Sequence, residues 1–253
     1  MMSAAPMIGK NIRRSASSTL TVLTGLLLAG SLAGCDAAAS VGTKLADALT
    51  PPVSASESPA ASSTAAAESA AALAQLGSIP VKGRAPKTGY SREEFGAAWA
   101  DVDHNGCDTR NDVLARDLTG ETFKPGTNNC VVATGKLTDK YTGKTISFVR
   151  GAGTSSDVQI DHIIPLSDAW QKGAQQLTAE QRKLLANDPL NLMAADGPTN
   201  GAKSDKDAAT WLPPNRAFRC EYVARQTVVK AKYNLWMTQP EHDAIAGILA
   251  SCK

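Results

Sequence analysis

The chain changes character near residue 81, and that break limits what can fold. Residues 36 to about 80 are dominated by Ala, Ser, Thr and Pro, as in Ala55-Ser56-Glu57-Ser58-Pro59. Such a stretch has little apolar surface to bury, so ordering it would cost more entropy than it returns. It reads as a disordered tether over 35–82, with at most transient helix near Ala65 to Ala74. Arg84 to Lys253 leaves about 170 residues, enough for one domain with its own core, placed at 83–253.

The beginning of the chain has the layout of an export signal. Lys10, Arg13 and Arg14 precede an apolar run from Leu20 to Leu32, and no acidic residue occurs before Asp36. The run is short and rich in Gly, Ser and Thr, which argues against a membrane-spanning helix. It ends in Leu32-Ala33-Gly34-Cys35, which resembles a bacterial lipobox. Residues 1–34 are therefore expected to be a lipoprotein signal peptide. Cys35 is expected to be acylated, anchoring the exported chain to the outer face of the cell membrane unless it is released.

Of five cysteines, Cys35 is thereby set aside, leaving Cys107, Cys130, Cys220 and Cys252. An even number in an exported chain points to disulfides. Three pairings are possible. Cys107–Cys130 and Cys220–Cys252 are favoured because each closes a local loop. A structural zinc site is a weaker reading, because no two of these cysteines have CxxC spacing. Charge is uninformative. From Val81 onward, 22 Lys and Arg face 20 Asp and Glu, and such a balance does not by itself suggest a nucleic-acid partner.

Local patterns suggest a mixed domain. Ser91-Arg92-Glu93-Glu94 has capping-box spacing, and Phe95, Ala98, Trp99 and Val102 follow at helical intervals. A helix over about 92–102 is expected. Val131 to Leu137 and Thr145 to Val149 read as a hairpin joined by a turn at Asp139 to Gly143. Asp157 to Ile160 reads as a short strand, followed by helices from about Asp168 and from a Thr178 cap. Asp188-Pro189 breaks the second, Leu190 to Ala194 is a strand, and Asn200 to Thr210 is a helix stopped before Pro213-Pro214. Helices over about 216–233 and 240–250 close the chain.

Three pieces carry chemistry, in this order: Asp161-His162-Ile163-Ile164-Pro165, Asn187-Asp188-Pro189-Leu190-Asn191-Leu192, and Asn200-Gly201-Ala202-Lys203. Hydrolysis of a phosphodiester needs a group that takes a proton from water near neutral pH, and histidine suits that role. It also needs charge stabilisation on the leaving oxygen, which a hard cation supplies. Hard cations take oxygen ligands, and Asp161 and Asn200 offer a carboxylate and an amide oxygen. At the end of a strand, Asp161 and His162 are expected to point in different directions.

In this ordered set the chain resembles the exported branch of the HNH endonucleases, with a D-H…N…N pattern. The core likeness spans Asp161 to Lys203, within 157–212, and Gly106-Cys107-Asp108-Thr109-Arg110-Asn111 and Trp211-Leu212-Pro213-Pro214-Asn215 extend it. The resemblance implies an α+β fold: a ββα-metal HNH nuclease core embedded in a mainly helical single domain. It implies His162 as general base, Asp161 and Asn200 as metal ligands, and Asn191 as the residue holding the loop that carries the histidine. The final His of the H-N-H pattern is Asn200 here, which suits Mg²⁺, with Mn²⁺ as an alternative. The implied activity is metal-dependent cleavage of DNA, and of RNA as a second substrate, with low sequence specificity and a 5′-phosphate product, by a monomer. Two rivals are a surface protein that binds nucleic acid without turnover, and a toxin-type nuclease with an immunity partner.

Further residues carry weaker signals. Lys203 shares a helix face with Asn200 and either contacts the phosphate or stays a solvated surface lysine. Arg110 either clamps a phosphate or pairs with Asp108 or Asp112. Asp101, Asp103 and Asn105, with Gly106 and Asp112, resemble a calcium loop, but its usual terminal Glu is Asp and a plain Asx turn is favoured. His104 and His242 lack paired motifs. Trp99, Trp170, Trp211 and Trp236 are expected in the core.

Overall fold

The computed structural model describes residues 59–252. The export signal, Cys35 and the first half of the expected tether lie outside them. Among the described residues no helix is long and apolar enough to cross a membrane.

The first element corrects the sequence expectation. Helix α1 (Pro59–Leu76) falls inside the stretch read as disordered tether, and it packs on α6 (Arg219–Lys232) and α7 (Gln239–Ser251). Alanine has the best helix propensity, and Ala72, Leu76 and Ile79 are buried in one cluster with Val223, Ile245 and Leu249. The segment after α1 is tied down as well, since Met237 N donates to Pro80 O and Lys82 N to Met237 O. Three apolar contacts were too sparse to read from the sequence. They suffice because a preformed helix loses little further entropy on docking.

The expected helix over 92–102 does not form. Only a single 3-10 turn, Arg92–Phe95, is present, and Ser91 caps nothing. Glu94, the intended capping partner, pairs with Arg182 at 3.0 Å instead. Gly96 then turns into the left-handed region at φ 80° and ends the turn.

Next come α2 (Thr109–Asp117) and β1 (Leu118–Phe123), neither of which was expected. Strand β1 pairs antiparallel with β2 (Val132–Thr138), which pairs antiparallel with β3 (Thr145–Val149) in the anticipated hairpin. A separate antiparallel pair joins β4 (Val158–His162) to β5 (Leu192–Asp196), in a register that sets Asp161 opposite Met193 and His162 opposite Leu192. Between them lie α3 (Leu166–Gln171) and α4 (Ala179–Asn187). The capping box of Thr178 and Gln181 at the start of α4 is fully formed.

Helix α5 (Gly197–Lys203) follows β5 directly and packs on both strands of this pair, a strand–strand–helix unit. It starts three residues before the expected Asn200, because Asp196 caps it by accepting from Thr199 N at 2.9 Å. It ends at Ser204 rather than Thr210, because Asp207 is drawn into a buried ion cluster described below.

Both disulfides have the expected pairing, Cys107–Cys130 and Cys220–Cys252. The second joins α6 to the end of α7 across a separation of 32 residues. Loop-closure entropy predicts that Cys252→Ser costs about 4 kcal/mol. Denaturant unfolding of the variant beside the oxidised parent should read that loss. Equal midpoints would mean that α7 is held by packing alone.

Candidate active site

Asp161 and His162 end β4, and their side chains diverge as an extended backbone requires. Both are nearly buried, 6% and 7% exposed. They open on one cleft of about 590 Å³, whose walls also include Asn200, Arg110, Arg92 and Lys87.

His162 points toward α4 and Trp99. Its Nε2 lies 2.9 Å from the carbonyl oxygen of Ala186. A carbonyl only accepts, so Nε2 carries the proton and Nδ1 of the neutral ring keeps its lone pair. Burial pushes the pKa down to about 4, against the opposing pull of the Ala186 hydrogen bond and of Asp161. The ring is thus neutral at pH 7. It stacks on Trp99, with planes 12° apart and centroids 6.1 Å apart.

Asp161 points the other way. Tyr141 Oη donates to its Oδ2 at 2.5 Å, and Lys203 Nζ lies 2.9 Å from Oδ2 and 3.1 Å from Oδ1. Lys203 also donates to the backbone oxygen of His162 at 2.8 Å. Its side chain is fully buried. Both sequence readings of Lys203, phosphate contact and solvated lysine, are therefore corrected. Its stem runs inward from α5, and its charge pairs with Asp161 and ties α5 to the end of β4.

Asn191 is fully buried. Its Oδ1 accepts from Ile164 N at 2.8 Å, its Nδ2 donates to Leu185 O, and its backbone oxygen accepts from Ile163 N. These bonds clamp the turn after His162 to the end of α4. Asn200 donates from Nδ2 to Gln159 Oε1 at 2.9 Å. Gln159 Nε2 donates in turn to Ser156 O, which sets the orientation of both amides, and Oδ1 of Asn200 accepts no hydrogen bond from the described residues. Asn200 and Asp161 thus present oxygen donors to one cleft, a set that fits a hard cation held largely by water. Among the described residues no cluster of three or more His, Cys, Asp or Glu is arranged as a metal site.

Arg110, on α2, is half-buried and makes no ion pair among the described residues, so the alternative of bracing Asp108 or Asp112 is not what forms. Burial, and then the like charge of Arg150, hold its pKa below the ordinary value. Asp101, Asp103 and Asn105 form the Asx turn. Asp101 accepts from the amides of Asn105 and Gly106, and Asn105 turns its Nδ2, a donor, toward Asp103 and Asp112. His104 lies in the same turn with φ 60°.

Sequence reasoning missed Arg92 and Lys87, since nothing local marks a cation as facing a cleft. It also misplaced Trp99. Trp170 and Trp236 are core residues, whereas Trp99 lines the cleft in a left-handed backbone, φ 58°. Such strain in a bulky residue gathers at functional sites.

Helix α5 can carry Asn200 and Lys203 only because Gly197 lets it approach β4. A Cβ there would lie 2.1 Å from Ser156 O. Gly197→Ala should cost about 2 kcal/mol from overpacking, and about 10²-fold in activity because the site groups shift. Gly201→Ala meets nothing within 4 Å and serves as the unfolding control. Equal unfolding midpoints for the two variants would refute this account.

Residues 108–248 match a family described as GmrSD restriction endonucleases, C-terminal domain. An uncharacterized secreted protein of Arthroderma benhamiae is 35% identical over 179 residues, covering 70% of this chain and 82% of the relative. No solved structure matches. The family match takes in more than half of the chain and all of Asp161, His162, Asn191, Asn200 and Lys203, and the chain belongs to the GmrSD C-terminal domain family of restriction endonucleases.

Proposed function

We propose that this protein is an exported, metal-dependent endonuclease of the HNH type that hydrolyses phosphodiester bonds of DNA, and of RNA as a second substrate. The observation that carries this reading is His162. It is a neutral, oriented imidazole beside oxygen donors in a cleft whose cations Arg92 and Arg110, without an ion pair among the described residues, suit a phosphate backbone. The strand–strand–helix unit of β4, β5 and α5 supports a ββα-metal core.

In this reading Nδ1 of His162 takes the proton of the attacking water, and the Nε2 bond to Ala186 O holds the tautomer. Asn191 positions the turn behind the histidine. Asp161 and Asn200 hold a hard divalent cation, Mg²⁺ or Mn²⁺, which when bound stabilises negative charge on the phosphate oxygens. Lys203 orients Asp161, and Arg110 binds phosphate. Export is supported by the leader and by the secreted relative. The lipid anchor at Cys35 rests on Leu32-Ala33-Gly34-Cys35 alone.

Incubating the purified chain with plasmid DNA tests the reading. Nicking and linearisation in Mg²⁺ or Mn²⁺, abolished by chelator, are expected. Plasmid retained but left intact in every divalent metal would instead favour a binding protein without turnover.

A further inference from the structure

A second pocket, of about 540 Å³, opens on the other side of His162 and Trp99. It shares Arg92, Trp99, His162 and Leu166 with the catalytic cleft. Its own walls are mostly apolar, from Phe95, Ala97, Ala98 and Ala186. Two polar side chains break this lining, the exposed Glu93 at its rim and the buried Asn187. Asn187, 1% exposed, stands in the wall at the end of α4. Its Nδ2 donates to Lys183 O at 2.9 Å. That bond excludes the flipped amide, since two oxygens would then face each other. Oδ1 is therefore the remaining atom, and it is buried with no hydrogen-bond partner among the described residues. A buried acceptor left unpaired is costly, and a ligand's N–H would satisfy it.

We propose that this pocket is a nucleobase subsite, which takes the base beside the scissile phosphate and favours bases carrying an exocyclic amino group. The choice of occupant rests on the nuclease reading. The pocket adjoins the cleft across the stacked rings of His162 and Trp99, as a base adjoins its phosphate. A base is flat and suits apolar walls with an aromatic side chain. Arg92 lines both spaces and can hold the connecting phosphate. The acceptor discriminates by sign. Cytosine offers its N4 amino group, whereas uracil and thymine offer a carbonyl at the same place, which Oδ1 repels. The base must leave any stack to enter, so single strands are the preferred form.

The test compares 5′-fluorescein-labelled (dC)₆ and (dU)₆, which differ only in that exocyclic group and its ring nitrogen. Anisotropy titrations use the full chain in chelator, so that no cleavage occurs, at one salt concentration. The expected result is roughly 10-fold tighter binding of (dC)₆. Asn187→Leu, similar in size but lacking the acceptor, should bring the two affinities together. Ala98→Phe fills the pocket from an exposed position and guards against a folding defect in the first variant. It should weaken both oligonucleotides and remove the preference. Equal affinities in the parent, or a preference surviving in either variant, would overturn the subsite. Plasmid cleavage without base preference removes the subsite and leaves the nuclease. Base preference without cleavage in any metal removes the nuclease and leaves a nucleotide-binding pocket.

Discussion

Replacing His162 with alanine should lower plasmid cleavage by roughly 10²–10⁴-fold, the usual worth of a positioned general base. The effect should fall on kcat, because the imidazole acts on water and not on the phosphate anchor. The reason for so large an effect is geometric. The Ala186 carbonyl holds Nε2–H, Trp99 holds the ring plane, and Asn191 holds the turn that follows. Among the described residues no other histidine lines the cleft. Lys203 is committed to Asp161, and His104 and His242 lie outside the cleft lining. Cleavage rates of parent and variant in Mg²⁺, with circular dichroism to verify folding, decide the matter. Equal rates, trace rates included, would mean that His162 is not the base.

Lys172→Met should be the most destabilising conservative change in the chain, at about 3–5 kcal/mol. Lys172 is fully buried, and its Nζ lies 2.7 Å from Asp168, 2.8 Å from Asp207 and 2.6 Å from Glu241. Arg84 and Lys230 supply the other two cations of this cluster. Removing one cation leaves three buried carboxylates with two partners. The charge must then be borne uncompensated or a proton taken up. Burial alone would raise the Asp207 pKa, but Lys172, together with the charge of Arg84 and the hydroxyl of Thr210, outweighs it and holds the pKa below its ordinary value. That pairing adds stability above the unfolded aspartate pKa of about 3.9, and the gain is lost as pH falls below it. The acid-side slope should flatten in the variant. Thermal melts across pH 2–7 read both effects. A melting temperature within about 2 °C of the parent at pH 7 would show that the cluster is not holding α3, α6 and α7 together.

Much of the site was legible because its chemistry is written in short segments. Asp161-His162 lies at the end of a strand whose apolar residues could be read, and the Thr178 cap marks α4 by its own local bonds. The β2–β3 hairpin follows from alternation and a turn. The disulfide pairing follows from loop closure. The helix at 92–102 misled because its pattern was correct and its capping carboxylate had a stronger partner, Arg182, 88 residues away. Strand β1 was invisible because Gly120 and Glu121 interrupt the strand signal of its threonines, and pairing with β2 supplies the order.

The sequence by itself determined which groups are available, an imidazole, two oxygen-bearing side chains and a clamping amide, and the local elements that carry them. Neighbours in the chain set that information through backbone geometry. Only the tertiary structure decided the rest. Lys203 became the buried partner of Asp161 across 42 residues, Arg84 met Asp207 across 123, and α1 found a surface on α6 and α7. Whether a lysine is solvated or buried depends on what covers it. That cover comes from chain segments whose approach depends on summed packing and desolvation over the whole domain, which no local pattern records.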